Sequence, residues 1–242
     1  MNQFSRNHFS NLLYVIEKTS FNRDILNQFQ YFIEDFFFDC QTAFRKTHFF
    51  INVLIYWREN ENTFSKILSP QFLEDLETIS DLLNDEFTIH DSSKVGEGPS
   101  DWTKPLSAIL NEIPWRDGKK RIFWVSNENS FGKRFCGFDP EWQNPRQSEE
   151  TMVSLTQQLA QQRIRFFAVN TTKGKDNGGL RTFREMKKIF EENHNHGFSI
   201  HQYKIEQPDD NNVRNEIICL MEKKDDVSYF LKNTNLKNED FI

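Results

Sequence analysis

Small polar and acidic residues stand where the apolar segments of this 242-residue chain end. They are Glu17, Thr19, Ser20, Ser126, Asn127, Glu128, Asn170, Thr171 and Thr172, joined by Glu97, Ser100 and Asp101 in the loop before a predicted helix. If the apolar segments are parallel strands, these side chains converge on one edge of a sheet, because the carboxyl ends of parallel strands meet there. Carboxylates and hydroxyls gathered at such an edge can bind a ligand or transfer protons.

The common sequence signatures of enzymes are absent from the chain. There is no GxGxxG dinucleotide fingerprint and no GxxxxGK[ST] phosphate loop. There is also no GxSxG nucleophile motif and no HExxH zinc motif. His194 and His196 form an HxH pair without a third ligand nearby, which we interpret as two solvated histidines rather than as part of a metal site. We therefore predict no catalytic or cofactor-binding residue and expect a protein that is not an enzyme.

The elements that must position the polar residues follow from the hydrophobic pattern. Uniformly apolar segments predict buried strands at residues 11–19, 48–57, 121–126 and 164–170, and weaker patterns predict edge strands at 63–68 and 198–205. Apolar residues three and four apart predict helices at 22–45, 70–84, 102–113, 148–162, 180–192 and 211–222, with Ser148 as the cap of the fourth. This alternation predicts an α/β fold with a doubly wound, mostly parallel central sheet flanked by helices on both faces.

Length and composition indicate one globular domain. We predict an N-terminal extension at residues 1–10, a single domain at 11–231 and a flexible tail at 232–242, because no internal repeat or linker-like segment divides the chain. Hydrophobic residues make up 37% of the sequence, which is enough to form a core.

The charge balance limits the classes of partner. Lys and Arg number 30 against 36 Asp and Glu, and the resulting net charge of −6 argues against nucleic-acid binding. No apolar run reaches the roughly 20 residues that a membrane-spanning helix needs. The three cysteines are far apart and no signal peptide is apparent, so we expect a cytoplasmic location.

Several short segments, in the right order, resemble one known family. They are residues 17–21 (EKTSF), 96–101 (GEGPSD), 115–116 (WR), 123–129 (FWVSNEN) followed by Gly132, and the aromatic loop at 134–145. In this order and spacing the chain resembles a von Willebrand factor A-type domain, in particular the subtype found beside alpha-type protein kinases. The resemblance covers roughly residues 11–221 and implies a Rossmann-like fold.

The resemblance also implies a divalent-cation site with an open position for an acidic residue of a partner. It assigns that site to Glu17, Thr19, Glu97, Asp101 and Asn127. The chain departs from the family pattern at several of these positions. Glu17 replaces an aspartate, Phe21 replaces a hydroxyl residue and Asn127 replaces a second aspartate. Because Mg²⁺ demands near-octahedral oxygen ligands, we expect a degenerate site that is weak or empty, and no cofactor.

The family resemblance makes other proteins the expected partners, in a larger assembly. Four aromatic residues in the loop at 129–147 are the predicted contacts: Phe131, Phe135, Phe138 and Trp142. The alternative is that these rings fold back to cover the sheet edge. Two further functions stay open, namely an adhesion-type domain that still binds Mg²⁺ and an enzyme with an unrecognised site at the carboxyl edge of the sheet.

Overall fold

The computed structural model describes residues 8–18, 23–45, 47–59, 62–89, 99–137, 145–172, 179–204 and 210–222. The strands are β1 (His8–Lys18), β2 (Thr47–Glu59), β3 (Asn62–Ile67), β4 (Lys119–Ser126), β5 (Arg165–Thr172) and β6 (Phe198–Lys204). The helices are α1 (Arg23–Ala43), α2 (Leu76–Ile89), α3 (Thr103–Asn111), α4 (Lys133–Cys136), α5 (Pro145–Gln161), α6 (Leu180–Glu192) and α7 (Asp210–Glu222). None of these helices is long and apolar enough to cross a membrane.

The six strands form one sheet in the order β3-β2-β1-β4-β5-β6. All neighbouring pairs are parallel except β2 and β3, which are antiparallel. The prediction of a mostly parallel, doubly wound sheet is confirmed, and the four apolar segments are its central strands. The chain order reverses between β1 and β4, and ligands bind at this switch point in open α/β sheets.

Each face of the sheet is covered by its own set of helices. Helices α1, α2 and α7 pack on one face, and α3, α5 and α6 pack on the other. The central strands alternate between these two cores: Tyr14 and Ile16 of β1 point into the first, and Leu13 and Val15 into the second. Both faces are apolar, which explains why the strands read as continuous hydrophobic runs.

Several predicted boundaries are wrong. The second helix begins at Leu76 rather than residue 70, because Leu73 instead forms a β-bridge with Ile51 of β2. Helix α5 begins at Pro145, so Ser148 lies inside its first turn and is not the cap. Proline suits the first helical position, where no N–H is needed. Strand β1 begins at His8, which extends the sheet three residues before the predicted boundary at residue 11. The predicted tail at 232–242 lies outside the described residues.

Candidate functional site

The centre of the candidate site is Glu17, the second-last residue of β1 at the switch point between β1 and β4. Its side chain points to the face that carries α3 and is only 3% exposed. The Ser100 hydroxyl donates to Glu17 Oε1 at 3.0 Å, and the Ser126 hydroxyl lies 2.5 Å from Oε2. The backbone N–H of Glu128 donates to Oε2 at 3.2 Å. The carboxyl group therefore joins the end of β4 to the loop before α3.

Burial controls the ionisation of this carboxyl group. Removal from water raises the pKa of Glu17 above its ordinary value, while the hydrogen bonds from Ser126, Ser100 and the backbone N–H groups of Glu128 and Asn127 oppose the rise. The Ser126 hydroxyl also lies 2.9 Å from the Glu128 carbonyl oxygen, and its single hydrogen cannot serve both acceptors. When Glu17 is protonated, it can donate to Ser126 Oγ while Ser126 donates to the Glu128 carbonyl.

The raised pKa predicts how stability changes with pH. Between the ordinary glutamate pKa of about 4.3 and the higher folded value, the unfolded chain loses this proton while the folded chain keeps it. The stabilising contribution of Glu17 is therefore complete below the unfolded pKa and lost as pH rises through the folded pKa. Urea unfolding of the natural chain and of Glu17→Gln, between about pH 4.5 and 8, will measure this. As pH rises, we expect the natural chain to lose stability relative to the variant, because glutamine cannot ionise. If the difference in the free energy of unfolding between the two proteins does not change with pH, or changes in favour of the natural chain as pH rises, the pKa of Glu17 is not raised.

A tyrosine and two tryptophans form the floor beneath Glu17. Tyr56 of β2 is the register partner of Glu17, and its hydroxyl accepts a hydrogen bond from Trp124 Nε1 at 3.0 Å. Trp102 stacks on Trp124 with ring centroids 4.7 Å apart. All three rings are fully buried, and burial raises the pKa of Tyr56 well above its ordinary value. The site is therefore a closed polar cluster resting on an aromatic layer.

The loop that follows β4 is fastened to two neighbouring segments. Ser100 and Asn129 share a backbone hydrogen bond of 3.1 Å, and the Phe131 N–H donates to the Ser100 carbonyl at 3.1 Å. Asn129 Oδ1 accepts the Thr182 N–H and hydroxyl at the start of α6, both at 3.1 Å. The Thr182 hydroxyl in turn accepts the Ser130 N–H at 2.8 Å. These bonds give the carboxyl edge a defined backbone shape.

A partly buried ion-pair cluster lies beside the site on the opposite face of the sheet. Lys18 is 6% exposed and donates to the Glu86 carbonyl at 3.1 Å, with the Glu86 carboxylate 4.0 Å away. Lys66 contacts the same carboxylate at 2.5 Å. Burial lowers the pKa of Lys18, and Glu86 opposes this shift. This cluster joins β1, β3 and α2 and was not predicted from the sequence.

The five predicted metal ligands are only partly brought together. Glu17 and Asn127 meet, but Asn127 contributes a backbone N–H rather than a side-chain oxygen. Asp101 Oδ1 instead accepts the N–H of Thr103, the first residue of α3, at 3.1 Å and its hydroxyl at 2.6 Å. Thr19 and Glu97 lie outside the described residues. The described parts of the chain contain no group of three or more His, Cys, Asp or Glu arranged to hold a metal ion.

Within the described residues, protein donors engage the Glu17 carboxyl group. A cation needs carboxylate lone pairs directed at it, whereas both Glu17 oxygens face hydroxyl or backbone N–H donors. The predicted register is nevertheless supported, because Ser100, Ser126 and Glu17 do meet at the rim where the sequence placed them. The residues missed are Tyr56, which reads as a core residue within an apolar run, and Thr182.

Two of the four predicted aromatic contacts are buried. Phe131 is 1% exposed and Phe135 is fully buried within the core beneath α6, so neither ring is available to a partner in this conformation. The reason is the short helix α4, which turns Phe135 inward, and the alternative that the rings fold back therefore holds for these two residues. Phe138 and Trp142 lie outside the described residues.

Comparisons with solved structures identify the fold. No protein-family profile matches the chain, and a search among curated proteins finds no match. Among solved structures, the SpRpn10 VWA domain aligns with a TM-score of 0.51 and 10% identity over 86% of this chain and 94% of its own. The pilus adhesin SpaC from Lactobacillus rhamnosus GG aligns with a TM-score of 0.55 and 10% identity, over 90% of this chain and 31% of the adhesin. BatB, a conserved hypothetical protein from Bacteroides thetaiotaomicron, aligns with a TM-score of 0.50 and 8% identity over 88% of this chain and all of its own. The chain therefore has a von Willebrand factor A-type, Rossmann-like fold.

Proposed function

We propose that the chain is a non-enzymatic protein-binding module of the von Willebrand factor A type, of the subtype found beside alpha-type protein kinases. The observation that carries the proposal is the Glu17 carboxyl group at the switch point, which fastens the Ser100 loop to the loop after β4. Loops fixed on a rigid sheet edge make a preorganised binding surface, which lowers the entropic cost of association. The partner is another protein, as part of a larger assembly.

We further propose that this module works without a bound metal ion. In the family that the chain resembles, a divalent cation organises the loops at the carboxyl edge and contacts the partner. Here hydrogen bonds to Glu17 organise the same loops, and the Asp101 carboxylate is engaged by Thr103. The raised pKa of Glu17 also weakens cation binding, because a carboxyl group must lose its proton to act as a ligand. Mg²⁺ binding is therefore weak or absent.

Phe138 and Trp142 are the proposed anchors for the partner. They follow α4 in the chain and precede α5. Large aromatic residues contribute heavily to binding when a rigid scaffold positions them. Since Phe131 and Phe135 are committed to the core, they serve to fix the start of this connection.

Affinity capture of partners in the presence of Mg²⁺ or EDTA tests the proposal. We expect the same proteins to be captured under both conditions, and capture to be lost with Phe138→Ala/Trp142→Ala. The matched control is Tyr31→Ala/Phe38→Ala, which removes two aromatic rings that are each 66% exposed on α1, away from the carboxyl edge. Capture should persist in this control, because its substitutions lie outside the proposed surface.

The opposite results are equally informative. Loss of capture in EDTA would indicate an adhesion-type domain that depends on a metal ion. Loss in the Tyr31→Ala/Phe38→Ala control alone would place the binding surface on α1. Thermal melting of all three proteins will establish whether any loss of capture follows from unfolding.

A further inference from the structure

A pocket of about 540 Å³ opens at the amino edge of the sheet, the edge opposite the Glu17 site. Lys119 and Arg165 are the first residues of β4 and β5, and Arg163, His194 and His196 lie in the turns after α5 and α6. Among the described residues that line this pocket, which we call the basic pocket, none is acidic. A concave surface that carries one sign of charge concentrates ligands of the opposite sign.

Several carbonyl groups near the helix ends at this edge are hydrogen-bonded within the protein. The last carbonyl groups of a helix carry partial negative charge and would repel an anion. Here the side-chain amide of Asn195 donates to the carbonyl oxygens of Ala160 at 2.9 Å and Ile164 at 3.2 Å. The backbone N–H of Asn195 donates to the Phe190 carbonyl at 2.9 Å. These carbonyl groups are therefore satisfied within the protein, and the cationic side chains dominate the pocket.

The backbone around the basic pocket is held in an uncommon conformation. Among the described non-glycine residues, Arg163 and His194 have positive φ angles, of 55° and 56°, and both line this pocket. Strained backbone of this kind is concentrated at functional sites. Arg165 is also fixed, because its Nη1 donates to the Leu220 carbonyl at 3.2 Å. Lys119 and Arg163, by contrast, have exposed side chains that an anionic ligand can reach.

We propose that the basic pocket binds an acidic peptide segment of a partner protein through its Asp or Glu carboxylates. The planar guanidinium group of Arg163 matches a carboxylate in geometry and charge, and Lys119 adds a second positive charge. A short acidic segment needs only the local positive charge, whereas a long polyanion would be repelled by a chain with a net charge of −6. This site is separate from the carboxyl edge, so it does not depend on the function proposed there.

Fluorescence anisotropy with a labelled oligoglutamate peptide tests this proposal on the full chain. The pocket variant is Lys119→Ala/Arg163→Asn, in which asparagine tolerates the positive φ angle at residue 163. We expect this variant to bind the peptide about tenfold more weakly than the natural chain, because two cationic contacts are lost. The control Lys104→Ala/Lys188→Ala removes the same charge from exposed positions on α3 and α6 and should stay within about twofold.

Several outcomes would overturn the proposal. One is the absence of peptide binding to the natural chain at low salt, and another is an equal loss of affinity in the pocket variant and the control. Displacement of the peptide by an equal concentration of inorganic phosphate would indicate a site for small anions. Tighter binding of a single-stranded oligonucleotide would indicate a nucleic-acid site. Circular dichroism will show whether both variants are folded. If the pocket variant does not fold, the single substitution Arg163→Asn takes its place.

Discussion

Replacing Glu17 by alanine is expected to destabilise the protein by about 1–3 kcal/mol, because a buried donor left without an acceptor costs about that much. The substitution removes the acceptor of the Ser100 hydroxyl, whereas the Ser126 hydroxyl keeps the Glu128 carbonyl and the Glu128 N–H keeps Ser126 Oγ. Little water can replace the carboxyl group, because Glu17 is 3% exposed and rests on the aromatic layer. Urea unfolding near neutral pH will measure the change in the free energy of unfolding.

A matched control separates the effect of position from the effect of losing a carboxylate. Glu77→Ala removes an exposed carboxylate in the first turn of α2, and its effect should be within about 0.5 kcal/mol. A loss below about 1 kcal/mol for Glu17→Ala would mean that its hydrogen bonds are weak or readily replaced. In that case the view that Glu17 organises the carboxyl edge would fail.

The sheet could be predicted from the sequence because its strands are buried on both faces. Residues 122–125 (IFWV), for example, are all apolar or aromatic, and a run of this kind between helical patterns has few structural solutions. The polar rim followed from the same reasoning, since the carboxyl ends of parallel strands must share an edge. For this reason Glu17, Ser100 and Ser126 were placed near one another before any contact was known.

The parts that could not be predicted depend on side-chain direction and on partners distant in sequence. The aromatic residues Phe131 and Phe135 were predicted to face a partner, but α4 has only four residues and leaves no periodic signal that shows where its rings point. The contact of Lys18 with Glu86 joins residues 68 positions apart, which no local pattern encodes. Tyr56 was missed because a tyrosine within an apolar strand looks like a core residue until its hydroxyl is located.

Gly179, directly before α6, lies against the loop that carries the site. A Cβ atom added at residue 179 would lie 2.6 Å from the Glu128 carbonyl oxygen and 3.3 Å from Ser126 Oγ. The nearer neighbour is backbone, so the loop after β4 must move to admit a methyl group. The φ angle of Gly179 is −71°, which alanine adopts without strain. The effect of an alanine substitution at residue 179 should therefore report the close contact alone.

Gly179→Ala is accordingly expected to destabilise the protein by about 1–3 kcal/mol, the usual cost of overpacking a well-packed region. Without the contact, the same substitution would stabilise the protein by about 0.4–1 kcal/mol, because alanine lowers the conformational entropy of the unfolded chain. The sign of the change in the free energy of unfolding therefore shows whether the contact exists. The control is Gly197→Ala. Its added methyl group would meet the side-chain atoms Asn195 Oδ1 at 3.0 Å and Arg165 Cγ at 3.2 Å. Side chains can move more easily than backbone, so this substitution should destabilise the protein less. Hydrogen exchange should also show faster loss of the Glu128 amide proton in Gly179→Ala, because displacement of the loop lengthens its bond to Glu17. Unchanged exchange together with a gain in stability would mean that Gly179 does not hold the loop against Glu17.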